Sequence, residues 1–218
     1  MNEIKKNKLL IIGASGHGKV VADIAFKLNK WQRIAFLDDD ESLKVSLGLD
    51  VVGTLKDMHT CIDDWDMFVA IGKNSLRETI QLKLEAQAAT IPVLIHPQAI
   101  IGKDVEISKG TVIMAGSVIN SSTVIGKGSI INTGSTVDHD NLIENFVHIS
   151  PGVHIAGTVK IGHGSWLGIG SIVSNNVKII KNTILGAGSV VIKDINEPGV
   201  YIGIPARRIK DGENFDFS

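Results

Sequence analysis

Residues 112–131 read VIMAGSVINSSTVIGKGSII, with Ile113, Ile119, Ile125 and Ile131 falling on every sixth position. Followed outward in both directions, the series runs without a gap. It takes in Ile101, Ile107, Ile113, Ile119, Ile125, Ile131, Val137, Ile143, Ile149, Ile155, Ile161, Leu167, Val173, Ile179, Leu185 and Val191. Four places after these residues come small or β-branched ones: Thr111, Ser117, Thr123, Ser129, Ser135, Val147, Val153, Val159 and Ser165, with Asn141 as the exception. A period of six fits neither the stripe of an α-helix nor the alternation of a plain strand. It is the hexapeptide pattern of a parallel β-helix, in which three hexads close one triangular coil. Residues about 18 apart should then stack in neighbouring coils. The aliphatic residue points inward and the small one fits beside it near the crowded axis. Gly126-Lys127-Gly128 and Gly162-His163-Gly164 supply corners, since glycine permits tight backbone geometry.

Before Pro97 the pattern is different. KLLIIG, RIAFLDD and MFVAIG are short apolar strands. GKVVADIAFKLNK (18–30) places Val21, Ile24, Ala25 and Leu28 on one helical face, and KNSLRETIQLKLEAQ also has helical spacing. TIPVLIHP reads as a last strand leading out. Strand–helix alternation implies a parallel α/β sheet. The expected organisation is a Rossmann-like α/β domain over residues 1–96 and a β-helix domain with a C-terminal cap over 97–218.

The 218 residues, 44% of them hydrophobic, are enough for a real core, and a net charge of −1 argues against a general nucleic-acid binder. With Cys61 the sole cysteine, no disulfide framework is possible, and a cytoplasmic protein is expected. The apolar run LLII near the start is too short for a signal segment, and nothing approaches a membrane span. No cluster has metal-ligand spacing, so no metal is expected.

Gly13-Ala14-Ser15-Gly16-His17-Gly18 follows a strand and opens a helix, a turn that can bring backbone N–H groups to phosphate. Asp38 and Asp39 end the second strand, where an acid can hold a ribose or a base edge. A nucleotide-type ligand is the expectation, with an NAD site or a simple tight turn as alternatives. The domain is short for a second mononucleotide half, which disfavours a dinucleotide. Lys19 is open between a phosphate partner and solvated surface.

The chain resembles the hexapeptide-repeat acyltransferases, and within them the PglD-like and NeuD-like sugar acetyltransferases. The resemblance rests on GASGHGKV (13–20), FLDD (36–39), AIGKNSLR (70–77), LIHP (94–97), DHD followed by VHIS in the coil, and GIPARR (203–208). It is nearest to the UDP-4-amino-sugar N-acetyltransferases of di-N-acetylbacillosamine synthesis. It implies a left-handed coil, an exception to right-handed crossovers. It implies a homotrimer with sites between neighbouring coils and acetyl-CoA as cosubstrate. Ser15, Gly16, His17, Asp38, Asp39 and Gly72 are implied to contact the nucleotide sugar, and His148, Ile169 and Ala187 to contact acetyl-CoA.

His139 is the third residue of its hexad and should point out of the coil. The resemblance makes it the catalytic base; spacing alone favours an exposed surface histidine. The residue that orients it is open between Asp140, where the family has Glu, and Asp138. Gly157 lies one coil on, leaving space above the imidazole and an N–H to serve a tetrahedral oxyanion. His154 and His163 read as structural or solvent residues. Arg207 and Arg208 are open between the CoA 3′-phosphate and a solvated end. The expected activity is N-acetylation of a UDP-linked amino sugar. The alternatives are O-acetylation of sialic acid or another sugar, and a nucleotide-binding scaffold trimer with a dead site.

Overall fold

The computed structural model describes residues 6–209; residues 1–5 and 210–218 lie outside it, and with them part of the expected C-terminal cap. The first half runs β1 (Lys8–Ile12), α1 (Gly16–Leu28), β2 (Arg33–Leu37), β3 (Val45–Ser46), β4 (Leu49–Asp50), α2 (Met58–Cys61), β5 (Asp66–Val69) and α3 (Asn74–Ala86). The strands β2, β1 and β5 form a parallel sheet in that order. Alternation along β1 divides the core. Leu9 and Ile11 pack with Val21, Ile24 and Ala25 of α1, whereas Leu10 and Ile12 pack with Ile80 and Leu84 of α3. Glycine is required where α1 meets the β1 turn: a Cβ on Gly18 would lie 1.9 Å from the carbonyl oxygen of Gly13.

β6 (Leu94–Ile95) is already solenoid, because it pairs in parallel with Val112–Ile113. From there the chain winds as a left-handed parallel β-helix with three faces of two-residue rungs. The first face includes the rungs at 94, 112, 130, 148 and 166; the second those at 100, 118, 136, 154, 172 and 190; the third those at 106, 124, 142, 160 and 178. The register step is 18: Val118 pairs with Thr136 and Thr136 with His154. The aliphatic series lines the interior, with Ile113, Ile119, Ile125, Ile131, Val137 and Ile143 all inaccessible to solvent. Each such side chain contributes about 1.5–3 kcal/mol of burial. The solenoid ends in strand Gly199–Ile202, which pairs with Thr183–Leu185 and antiparallel with Arg207–Arg208.

The small-residue series does more than fit a crowded axis. Its hydroxyls link successive coils from inside. Thr123 Oγ1 donates to the carbonyl of Asp138 and accepts from the N–H of Asn141, and Ser129 Oγ makes the same pair of bonds to Glu144 and Val147. Asn141, the exception in the series, plays the same part with an amide. Its Nδ2 donates to the carbonyls of Asp138 and Ala156, and its Oδ1 accepts from the N–H of Val159. Buried backbone groups at the corners are thereby satisfied.

The two halves share a core. Leu94, Val112, Met114 and Ile130 of the first face join the α1 side of the sheet in one hydrophobic cluster. Helix α3 adds a polar seam along the edge between the third and first faces. Asn74 Nδ2 donates to the carbonyls of Gly164 and Ser165, Gln81 Nε2 to that of Lys109, and Lys127 meets Glu85 at 2.8 Å.

Candidate functional site

His139 sits on the edge between the second and third faces, and its side chain is 55% exposed. Its Nδ1 lies 2.7 Å from Oδ2 of Asp140. Asp140 is in the left-handed region (φ 56°), as are Ser122 and Thr158 at the equivalent corners one coil away on either side. Aspartate tolerates that conformation better than most side chains. Asp138 is committed elsewhere. Its Oδ1 accepts from Asn120 Nδ2 and from the N–H of His139, and these bonds hold its carboxyl below the ordinary range. Asp140 is therefore the carboxylate bonded to the imidazole. A carboxylate on Nδ1 fixes the proton there and leaves Nε2 as the acceptor. The Asp140 bond also raises the His139 pKa above its ordinary value.

Gly157 lies directly over the ring. A Cβ at that position would come within 2.6 Å of both Cε1 and Nε2 of His139. The Gly157 carbonyl accepts from Asn176 N–H, whereas its own N–H has no acceptor among the described residues. A basic nitrogen and an open backbone donor thus face the same space.

The residues expected to hold the nucleotide sugar gather around the β1–α1 turn. Asp38 Oδ2 accepts from the N–H of Ala14 at 2.7 Å and its Oδ1 from the N–H of Asp40, while Ser46 Oγ donates to the Ala14 carbonyl. Asp38 therefore shapes the glycine turn as well as standing beside it. Asp39 is exposed and receives the N–H of Leu55. Ser15 occupies the N-cap of α1 without a side-chain cap bond, and Gly16 and Gly72 face open space.

His17 and His148 meet where this turn abuts the first face. Burial, with the charge of Arg77 adding to it, pushes His17 down to about 4. The same two causes, with a smaller contribution from His17, take His148 to about 3, against a small opposing effect of the Gly72 backbone. Trp166, one coil after His148, stacks on its ring with centroids 5.5 Å apart and planes within 1° of parallel. Ile169 and Ala187 lie one coil apart on the edge between the first and second faces, both exposed, and are tied by the bond from Gly188 N–H to the Ile169 carbonyl.

The sequence-derived residues thus form two groups in one chain. His139, Asp140 and Gly157 occupy the edge opposite the first face. His17, Gly72 and His148 lie between the α/β domain and that face, with Ile169 and Ala187 along its border. His154 bonds Thr136 Oγ1, and His163 bonds Glu78 of α3, so both have structural partners. Arg208 donates to the Pro198 carbonyl and closes the terminal hairpin. Arg77 and Trp166 were not singled out by sequence. Nothing in a helical KNSLRE segment marks its arginine as buried, whereas Trp166 lies at the 18-residue step from His148 and was open to detection. Among the described residues, no group of His, Cys, Asp and Glu side chains is placed to hold a metal, and no helix is long and apolar enough to cross a membrane.

Residues 8–84 match the family model described as PglD N-terminal domain. The acetyltransferase domain of PglB from Neisseria gonorrhoeae superposes with a TM-score of 0.91 at 38% identity, covering 94% of this chain and 100% of that one. The same domain in complex with acetyl coenzyme A gives a TM-score of 0.90. A histidine-to-asparagine mutant of perosamine N-acetyltransferase from Caulobacter crescentus, in complex with CoA and GDP-perosamine, gives 0.90 at 34% identity, covering 94% of this chain and 97% of that one. UDP-N-acetylbacillosamine N-acetyltransferase of Bacillus subtilis is 36% identical over 105 residues, 46% of this chain and 48% of that protein. The matched segments span about half or less of the curated relatives.

Proposed function

We propose that this chain, which belongs to the PglD-like hexapeptide-repeat sugar acetyltransferases, moves the acetyl group of acetyl-CoA onto the amine of a nucleotide-linked amino sugar of the UDP-4-amino-4,6-dideoxy-N-acetylglucosamine type. The observation that carries the reading is the trio His139, Asp140 and Gly157: an accessible imidazole clamped by a carboxylate, beneath an open backbone N–H. His139 Nε2 takes a proton from the sugar ammonium or from the attacking amine. The amine nitrogen bonds to the thioester carbonyl carbon. The Gly157 N–H receives the developing oxyanion. Collapse breaks the carbon–sulfur bond and releases CoA thiolate. No step calls for a metal. The perosamine and bacillosamine relatives, both N-acetyltransferases, favour an amine over a hydroxyl acceptor.

The working unit in this proposal is a homotrimer. One chain keeps His139 and the His148 group on different parts of the prism, so a second copy is needed to bring the His139 edge to the border carrying Ile169 and Ala187. Exposed Ile100, Ile172 and Ile169 supply apolar surface for that contact. The proposed compartment is the cytoplasm, in keeping with a single free thiol at Cys61.

The test is acetyl transfer from acetyl-CoA to a panel of UDP-, GDP- and CMP-linked amino sugars and sugar hydroxyls, read as free thiol. Turnover confined to amines supports the proposal. Turnover of hydroxyls alone, or a fully active monomer by sedimentation, overturns it.

A further inference from the structure

We infer that Arg77 is a positioning residue, fastening the Ile71–Gly72 loop of the α/β domain to the solenoid backbone that leads into His148. The inference rests on the acetyltransferase reading for its function, though not for its geometry.

Arg77 is 1% exposed, and among the described residues it forms no ion pair with a carboxylate. A buried guanidinium is costly unless all its protons are used. Here they are. Nη1 donates to the carbonyls of Ile71 and Gly72, both at 2.9 Å. Nε donates to the Gly128 carbonyl at 2.7 Å, and Nη2 to the Phe146 carbonyl and to Asn74 Oδ1. The planar fork thus spans both halves of the molecule. Two bonds hold the loop expected to meet the nucleotide sugar, and two hold consecutive corners of the solenoid. Phe146 lies two residues before His148.

Docking of the domain does not explain this arrangement. Gln81 and Glu85 reach the solenoid independently of Arg77, and the shared apolar core adds to them. Among the described α3 side chains, Arg77 alone ties the 71–72 loop to the seam. A lysine has a point charge and three donors, and cannot reproduce five directed bonds.

Its charge acts on the same place. Burial lowers the Arg77 pKa to about 9, with Glu78 opposing, so it remains a cation at neutral pH. The groups facing it are Glu78 on its own helix, already bonded to His163, His17 from α1 and His148 from the first face. Burial, with this cation adding to it, keeps both imidazoles neutral. A neutral imidazole offers one donor and one acceptor, which suits an uncharged ligand group better than a phosphate.

The test compares Arg77→Lys and Arg77→Met in the full chain, by amide hydrogen exchange and by NMR titration of His17 and His148. We expect exchange at Ala70, whose N–H bonds the Ile12 carbonyl where the loop begins, to rise about tenfold or more in both variants, with the solenoid amides unchanged. We expect both histidines to titrate about one unit higher in Arg77→Met and to stay low in Arg77→Lys, which keeps the charge. In the acetyl-transfer assay, the KM for the amino sugar should rise more than kcat falls. Unchanged exchange and titration in folded Arg77→Lys and Arg77→Met would overturn the inference. So would uniform loss of protection across both halves, since Arg77 would then be an ordinary core residue. The exchange and titration need no acetyl transfer, so an inactive enzyme panel would sink the functional reading without touching these results.

Discussion

His139 and His148 lie nine residues apart on the same solenoid and occupy opposite electrostatic worlds. His139 stands on an open edge, bonded to Asp140, with its pKa raised. His148 is wedged between Trp166 and the α/β domain beside a cation, with its pKa lowered to about 3. Near neutral pH the first can take and release a proton, and the second stays neutral throughout. The repeat supplies His139 from a corner turn and His148 from a strand rung. What separates their chemistry is the surroundings each acquires: a carboxylate at an exposed left-handed corner for one, and burial against another domain, beside its arginine, for the other.

Removing the edge histidine is the largest break in that comparison. His139→Ala should lower turnover about 10²–10⁴-fold, the usual range for a general base. Acetyl-CoA affinity by calorimetry should change little, because the lost contact acts in the transition state. With an amine acceptor the variant should recover partly as pH rises, since the amine loses its proton unaided. A hydroxyl acceptor would show no such recovery. Near-normal turnover at neutral pH would reduce His139 to a surface histidine.

The crevice should show itself in stability. His17 and His148 have folded pKa values below the ordinary 6.5, so the unfolded chain binds more protons between there and about 4. Stability from this source is complete above about pH 6.5 and is lost as pH falls toward the folded values, by roughly a few kcal/mol for the pair. Urea midpoints measured from pH 7 to pH 4.5 should fall, and His148→Gln should flatten the fall. An equal slope in that variant would show that His148 is not held neutral by the fold.

The fold was legible because the solenoid repeats one local decision, an inward aliphatic every six residues, and every rung from Ile101 to Val191 repeats it. The 18-residue stack likewise puts Gly157 over His139. Two things resisted. Sequence put Asp140 first and kept Asp138 as the alternative, because the choice depends on Asn120 capturing Asp138 from the coil below. Arg77 was hidden because all its partners but Asn74 are backbone carbonyls, of residues 71, 72, 128 and 146, which carry no side-chain signal.

The smallest effect is expected from Asp140→Asn, and it sharpens the comparison most finely. The Asp140 bond is the first cause of the raised His139 pKa, with desolvation opposing it. Since the base must be neutral to accept a proton, the acid limb of the kcat profile should lie above pH 6.5 in the wild type and move down toward it in the variant. Turnover at the plateau should nonetheless fall, by about tenfold, for a reason of tautomer. Asparagine can present its amide N–H to Nδ1, which then becomes the acceptor and leaves the proton on Nε2, the nitrogen facing Gly157. A downward shift of the limb with a lower plateau would assign both roles to Asp140. A limb that stays in place would pass the orienting role to Asp138, and Asp138→Asn should then produce the shift instead.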